Sequence, residues 1–118
     1  MSMKSVATIL FTLIALPASA HAFLTHADPA VGSRLTTIPR ALTLFYTEGV
    51  EAPFCTVTVT SPTGEAVQTA KPQPVPGQPA ELSVPLRITA PGTYHVSWHA
   101  TAEDTHKTQG SFTFTIAP

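Results

Sequence analysis

The sequence predicts an all-β protein: a two-sheet antiparallel sandwich of about seven short strands with Greek-key connections. Two observations lead there. Alternating β-branched and aromatic residues recur between turn signals along most of the chain. Proline is abundant (12 of 118 residues), charge is sparse, and no stretch beyond residue 20 has the apolar period of an amphipathic helix.

Phe23 to Leu35 opens with an extended piece, with turn signals at Asp28-Pro29 and Val31-Gly32-Ser33. Ala41 to Tyr46 reads as a strand with Leu42, Leu44 and Tyr46 on one face. Thr47 to Pro53 is a connection. Phe54 to Thr60 is the clearest strand: Cys55, Val57 and Val59 share one face, and Thr56, Thr58 and Thr60 the other. Ser61-Pro62-Thr63-Gly64 is a turn, and a short strand from Glu65 to Thr69 is expected to complete a hairpin. Lys71 to Pro79 carries four prolines and one glycine. That composition excludes a central strand and predicts a surface loop stiffened toward polyproline II. Glu81 to Ile88 is the next strand, with Pro85 pushing it toward a sheet edge. Ala90-Pro91-Gly92 is a tight turn. Gly92 to Ala100 is a strand with Tyr94, Val96 and Trp98 on one side and His95, Ser97 and His99 on the other. Thr101 to Gln109 reads as a polar loop. Ser111 to Ile116 is the last strand, with Phe112, Phe114 and Ile116 inward.

The first residues read as an export signal. Lys4 supplies the positive start, Val6 to Leu16 is apolar apart from two threonines, and Pro17 and small residues follow. The apolar run is too short to span a bilayer. Two cleavage frames satisfy the small-x-small rule: after Ala20, leaving His21 first, or after Ala22, leaving Phe23 first. The first frame gives residues 1–20 as signal peptide and 21–118 as one small domain. One of the six basic residues, Lys4, leaves with the signal, so five face seven acidic side chains, a net of −2 with histidines neutral. No basic patch is visible, which argues against a nucleic-acid partner. Cys55 is the only cysteine, so no internal disulfide forms.

A free N-terminal histidine can grip a metal with its α-amine and its ring Nδ1 together, closing a six-membered chelate. An internal histidine cannot, because its backbone nitrogen is an amide. Asp104 and His106 are two residues apart, so in an extended segment both side chains leave one face, with Glu103 and Thr105 facing away. With His21 they offer three nitrogens and one oxygen. Mixed nitrogen and oxygen donors in a rough square suit Cu(II), although zinc takes the same ligands tetrahedrally. On spacing alone, Asp-x-His is more often a loop with an Asx-turn and an exposed histidine. Cys55 shares its strand face with Val57 and Val59, so it is expected to pack in the core. His26 fits a turn beside Asp28-Pro29. His95 and His99 fall on the solvated face of their strand. No serine–histidine–aspartate arrangement, phosphate loop or paired CxxC is present.

The segment from Trp98 to Phe114, containing Asp104-Thr105-His106 and Gly110, resembles the C-terminal signature W-x-x-x-S-x-D-x-H-x-x-x-G-x-x-x-F of the CopC family of periplasmic copper-binding (copper resistance) proteins. His21-Ala22-Phe23-Leu24, Asp28 to Ser33, and Leu42 to Glu48 are similar to other family segments. The resemblance spans nearly all of residues 21–118. It departs at Ala102, where serine is common, at Gly49, often proline, and at His99, often arginine. It implies a cupredoxin-like sandwich holding one Cu(II) per chain through His21, Asp104 and His106; Glu48 matches a glutamate near the copper in some members and is either a second-sphere or weak axial group or a plain surface carboxylate. It also favours cleavage after Ala20. A branch of the family adds a methionine-rich Cu(I) site. Here both methionines, Met1 and Met3, lie in the signal, and thioethers are the ligands that select Cu(I). One Cu(II) site and no Cu(I) site are therefore expected.

The resulting expectation is a monomeric periplasmic Cu(II) carrier or buffer, not an enzyme. The resemblance implies cooperation with an inner-membrane copper transport protein of the CopD type. Two rivals stand beside it. One is a copper monooxygenase-like enzyme using the same N-terminal histidine. The other is a metal-free immunoglobulin-like interaction module.

Overall fold

The computed structural model describes residues 21–118. The expected export signal, residues 1–20, lies outside them. The described chain forms eight strands: β1 (Leu24–Asp28), β2 (Arg34–Leu35), β3 (Ala41–Tyr46), β4 (Thr56–Thr60), β5 (Gln73–Val75), β6 (Gln78–Pro85), β7 (Gly92–Thr101) and β8 (Lys107–Ile116). They make two four-stranded sheets, ordered β1-β3-β6-β5 and β2-β8-β7-β4. The chain changes sheet at every connection from β1 to β5 and again between β6 and β7. These crossings place the sheets face to face. The all-β sandwich expectation holds. One pairing is not antiparallel: the short β2 runs parallel to β8.

Period-two alternation builds the core. Leu42, Leu44 and Tyr46 of β3 face Val57, Val59, Tyr94, Val96, Trp98, Phe112, Phe114 and Ile116 of the other sheet, and all are buried. Tyr46 meets Trp98 edge-on, with ring centroids 5.4 Å apart. Tyr94 and Phe114, paired across β7 and β8, stack at 5.7 Å. Cys55 is buried as expected, and its thiol donates to the Glu51 carbonyl at 3.2 Å. Burial pushes the thiol pKa up, the opposite of what a reactive or metal-binding thiolate needs.

Four local expectations are corrected. Phe54 does not begin β4; it ends a 3-10 turn, Ala52–Phe54, with Pro53 inside it. Residues 65–69 form no continuous strand: the expected hairpin is reduced to one antiparallel bridge, Ala66 to Thr60, with Ser61 N–H donating to the Glu65 carbonyl. Val67 N–H donates to the Val59 carbonyl, while its own carbonyl accepts from Arg87 N–H, so the segment stitches the two sheets together. The proline-rich stretch is not only loop: Gln73–Val75 is the edge strand β5, joined to β6 through Pro76-Gly77. An edge tolerates prolines because its outer N–H groups need no partner. Conversely β6 is internal, between β3 and β5, and Pro85 is merely its last residue.

The β7–β8 hairpin matters most for function. Ten residue pairs run from Gly92↔Ile116 to Thr101↔Lys107. Only residues 102–106 are loop, where a nine-residue loop from Thr101 to Gln109 was expected. The inward parity of Phe112, Phe114 and Ile116 extends upstream through Gly110 and Thr108. Gly110 sits opposite Trp98, and a Cβ there would lie 2.7 Å from the indole Cζ2. The bare backbone lets the indole lie flat beneath the strand. Gly110→Ala is expected to lower unfolding free energy by about 1–3 kcal/mol through forced repacking of Trp98. Denaturant unfolding followed by Trp98 fluorescence measures it.

Candidate metal centre

The loop 102–106 closes the long hairpin, so a rigid ladder carries it. Thr105 N–H donates to the Ala102 carbonyl, and Ala102 N–H to the His106 carbonyl. Thr105 adopts a left-handed backbone, φ 76°, which costs a β-branched residue roughly 1–2 kcal/mol. The segment is therefore a turn and not the extended piece that the spacing suggested. The turn still brings the two side chains together. Asp104 Oδ1 accepts from His106 N–H at 3.2 Å, and Asp104 Oδ2 lies 2.9 Å from His106 Nδ1. This is the Asx-turn that the spacing alone favoured, with the imidazole added to it. The hydrogen bond from His106, helped by the charges of His106 and His21, holds the Asp104 carboxyl below the usual carboxylate range.

His21 reaches the same place from the other end of the chain. Its ring centroid is 4.6 Å from that of His106, edge-on. Two threonine hydroxyls, one beside each sheet, seat this segment. Thr47 Oγ1 donates to the His21 carbonyl at 3.1 Å and accepts from Phe23 N–H at 3.0 Å. Thr108 Oγ1 donates to the Ala22 carbonyl at 2.7 Å. Ala22 between them is 0% exposed. The sequence reading missed both threonines. Thr108 was legible, since it shares the inward parity of Phe112; Thr47 carries no pattern of its own.

The fold brings His21, Asp104 and His106 together. Glu48 is exposed one residue past Thr47 and, among the described residues, makes no ion pair. His26 stacks on Phe45 (4.0 Å, 8°) and its Nδ1 meets the Thr25 hydroxyl, so it is occupied elsewhere. His95 and His99 are exposed on the outer face of β7, as expected. Among the described residues no three His, Cys, Asp or Glu side chains already enclose a single metal position. The reason is local: His106 Nδ1 and Asp104 Oδ2 face each other and not a shared point. The donor set of two imidazoles and a carboxylate nevertheless suits a divalent transition metal.

The CopC domain pattern matches residues 24–117. This chain belongs to the CopC family. Among curated relatives, Protein YobA of Escherichia coli K12 is 38% identical over 117 residues, covering 98% of this chain and 94% of that protein. Copper resistance protein C of Escherichia coli is 27% identical over 110 residues, covering 87% and 86%. Among solved structures, CopC from Methylosinus trichosporium OB3b superposes with a TM-score of 0.77 at 26% identity, covering 83% of this chain and 95% of its own. PcoC, a methionine-rich copper resistance protein from Escherichia coli, gives 0.71 at 28% identity, covering 83% and 100%. This CopC-family chain has only two methionines, Met1 and Met3.

Two predictions test the site as it stands. Thr108→Val leaves the Ala22 carbonyl without its donor. Stability should fall by about 1 kcal/mol, and amide exchange at residues 21–23 should accelerate far more than in the β7–β8 ladder. Because the folded Asp104 pKa is depressed, its contact with His106 is present above the ordinary aspartate range and lost as pH falls through the lowered value. An NMR titration of the Asp104 carboxyl carbon should show a midpoint below that of a free aspartate, returning toward it in His106→Ala.

Proposed function

We propose that this CopC-family chain is a periplasmic Cu(II) carrier or buffer that binds one ion per chain as a monomer. His21 supplies its α-amine and ring nitrogen, Asp104 a carboxylate oxygen and His106 an imidazole. Glu48 stands nearby as a second-sphere carboxylate. The observation that carries the reading is the 4.6 Å approach of the His21 and His106 rings beside the Asp104 carboxylate. The copper-related names of the relatives, Copper resistance protein C and PcoC, support the choice of metal.

The reading requires residues 1–20 to be removed as an export signal. The full burial of Ala22 and the Thr108 bond to its carbonyl favour a cut after Ala20. A cut after Ala22 would strip a core residue and both imidazole-side anchors. Once His21 is terminal, its α-nitrogen changes from an amide to a basic amine and completes the donor set.

Copper is cargo in this reading, and the chain's task is to hold and release it. Loading exchanges the hydrogen bond between Asp104 and His106 for bonds to the metal. The proton therefore competes with copper at the imidazoles and at the amine, and affinity falls as pH falls. Most side chains around the donors are exposed, with His106 58% and Asp104 34% accessible. That accessibility suits ligand exchange with a receiving protein, such as a CopD-like inner-membrane transporter. The paucity of methionine gives no basis for a separate Cu(I) site.

Titration of the exported protein should give one Cu(II) per chain. Asp104→Ala and His106→Ala should each weaken binding by more than about tenfold, in the range typical for loss of a metal-supporting group. Intact mass should place the first residue at His21. A mature chain starting at Phe23, or variants that bind like the wild type, would overturn the assignment.

A further inference from the structure

Charge is segregated along the strand axis. The connections at the end bearing His21 and His106, residues 47–54 and 101–107, carry Glu48, Glu51, Glu103 and Asp104 against Lys107 alone. They form one unit: Val50 pairs with Ala102, Glu51 N–H donates to the Thr101 carbonyl, and Glu103 N–H donates to the Gly49 carbonyl. The Glu103 carboxyl lies against Gly49, where a Cβ would come within 2.5 Å of it. All four acidic residues are exposed. At the opposite end Arg34, Arg40 and Arg87 are exposed beside two carboxylates, Asp28 at the end of β1 and Glu65 in the neighbouring turn.

The acidic end also carries apolar surface. Phe54 is 70% exposed and Phe23 is 53% exposed. Phe54 is presented by a fixed backbone, because its carbonyl accepts from the Thr101 hydroxyl at 3.2 Å. Beside it runs a groove of about 400 Å³, lined by Phe54, Thr56, His99, Thr101, Lys107 and Thr108. Lys107 and Thr108 directly follow His106, so the groove abuts the metal centre. Phe23 stands 5.8 Å from the His21 ring.

We infer that this end is a docking face for a cationic protein segment carrying an apolar side chain that fills the groove beside Phe54. This inference rests on the copper-carrier reading, which it deepens by specifying the receiving partner. The occupant follows from charge complementarity. Four carboxylates around two phenyl rings attract lysine- and arginine-rich surface and repel anionic lipid headgroups. Burying Phe54 adds apolar contact, while the carboxylates steer the encounter and orient it. A partner seated there lies next to His106, where ligand exchange takes place.

The test uses two acceptor peptides with the same chelating Gly-Gly-His start and different tails, one of alternating lysine and leucine, the other of alternating glutamate and leucine. Stopped-flow absorbance follows copper leaving the loaded, exported protein. Transfer to the lysine peptide should be at least about tenfold faster at low ionic strength, and the ratio should approach one in about 0.5 M salt. Glu51→Gln should shrink the ratio. Phe54→Ala should slow transfer to the lysine peptide several-fold while the copper stoichiometry stays at one. The same peptides added to metal-free protein, read by backbone NMR shifts, test the face even if no copper binds. In that case the carrier reading fails and the docking face is judged alone. Shifts should cluster at residues 23, 51, 54 and 103 with the lysine tail. Equal rates or equal shifts for both tails, an inert Phe54→Ala, preferential binding to phosphatidylglycerol vesicles, or head-to-tail self-association through the arginine end would each overturn the inference.

Discussion

The approach of His21 to His106 depends on the seating of one small residue. Ala22 is wholly buried, and its carbonyl is held by the Thr108 hydroxyl. Thr47, at the end of β3 in the other sheet, clamps the residues on either side. The segment is thus tied to both sheets at once. A segment outside the strands without such ties frays, and a frayed His21 would meet His106 only occasionally. The anchors turn the His21 side chain into a positioned one.

The hairpin works in the same way from the other side. Ten cross-strand pairs carry a five-residue loop whose internal hydrogen bonds fix its shape. The left-handed Thr105 is the cost of the tight turn, and the ladder below is long enough to absorb it. The turn aims Asp104 and His106 at each other. Acidic connections and two exposed phenyl rings share that end, while Arg34, Arg40 and Arg87 lie at the far end with Asp28 and Glu65. The proposed metal site and the proposed docking face therefore share one end of the sandwich, and the body beneath supplies rigidity.

Much of the fold was legible because burial in a sandwich follows period two. Leu42, Leu44 and Tyr46, and likewise Tyr94, Val96 and Trp98, are buried as their alternation required. The reading went astray where local composition competed with tertiary pairing. Prolines at 72, 74, 76 and 79 suggested only a loop, yet an edge position made β5 possible. The polar residues Lys107 to Gln109 suggested loop, yet register with β7 extended β8 through them. Phe54 looked like strand and is a surface-facing turn residue.

By itself the sequence determined the chemistry on offer: a histidine that processing can place first, an Asp-x-His pair, a lone cysteine among apolar neighbours, and alternating strands that had to form a sandwich. Those are properties of residue type and near spacing. Only the tertiary structure decided that the His21 and His106 rings approach each other beside Asp104, that Thr47 and Thr108 hold residues 21–23, and that the acidic connections gather at one end. These depend on contacts between residues more than twenty, and in one case eighty-six, positions apart, where spacing along the chain carries no information.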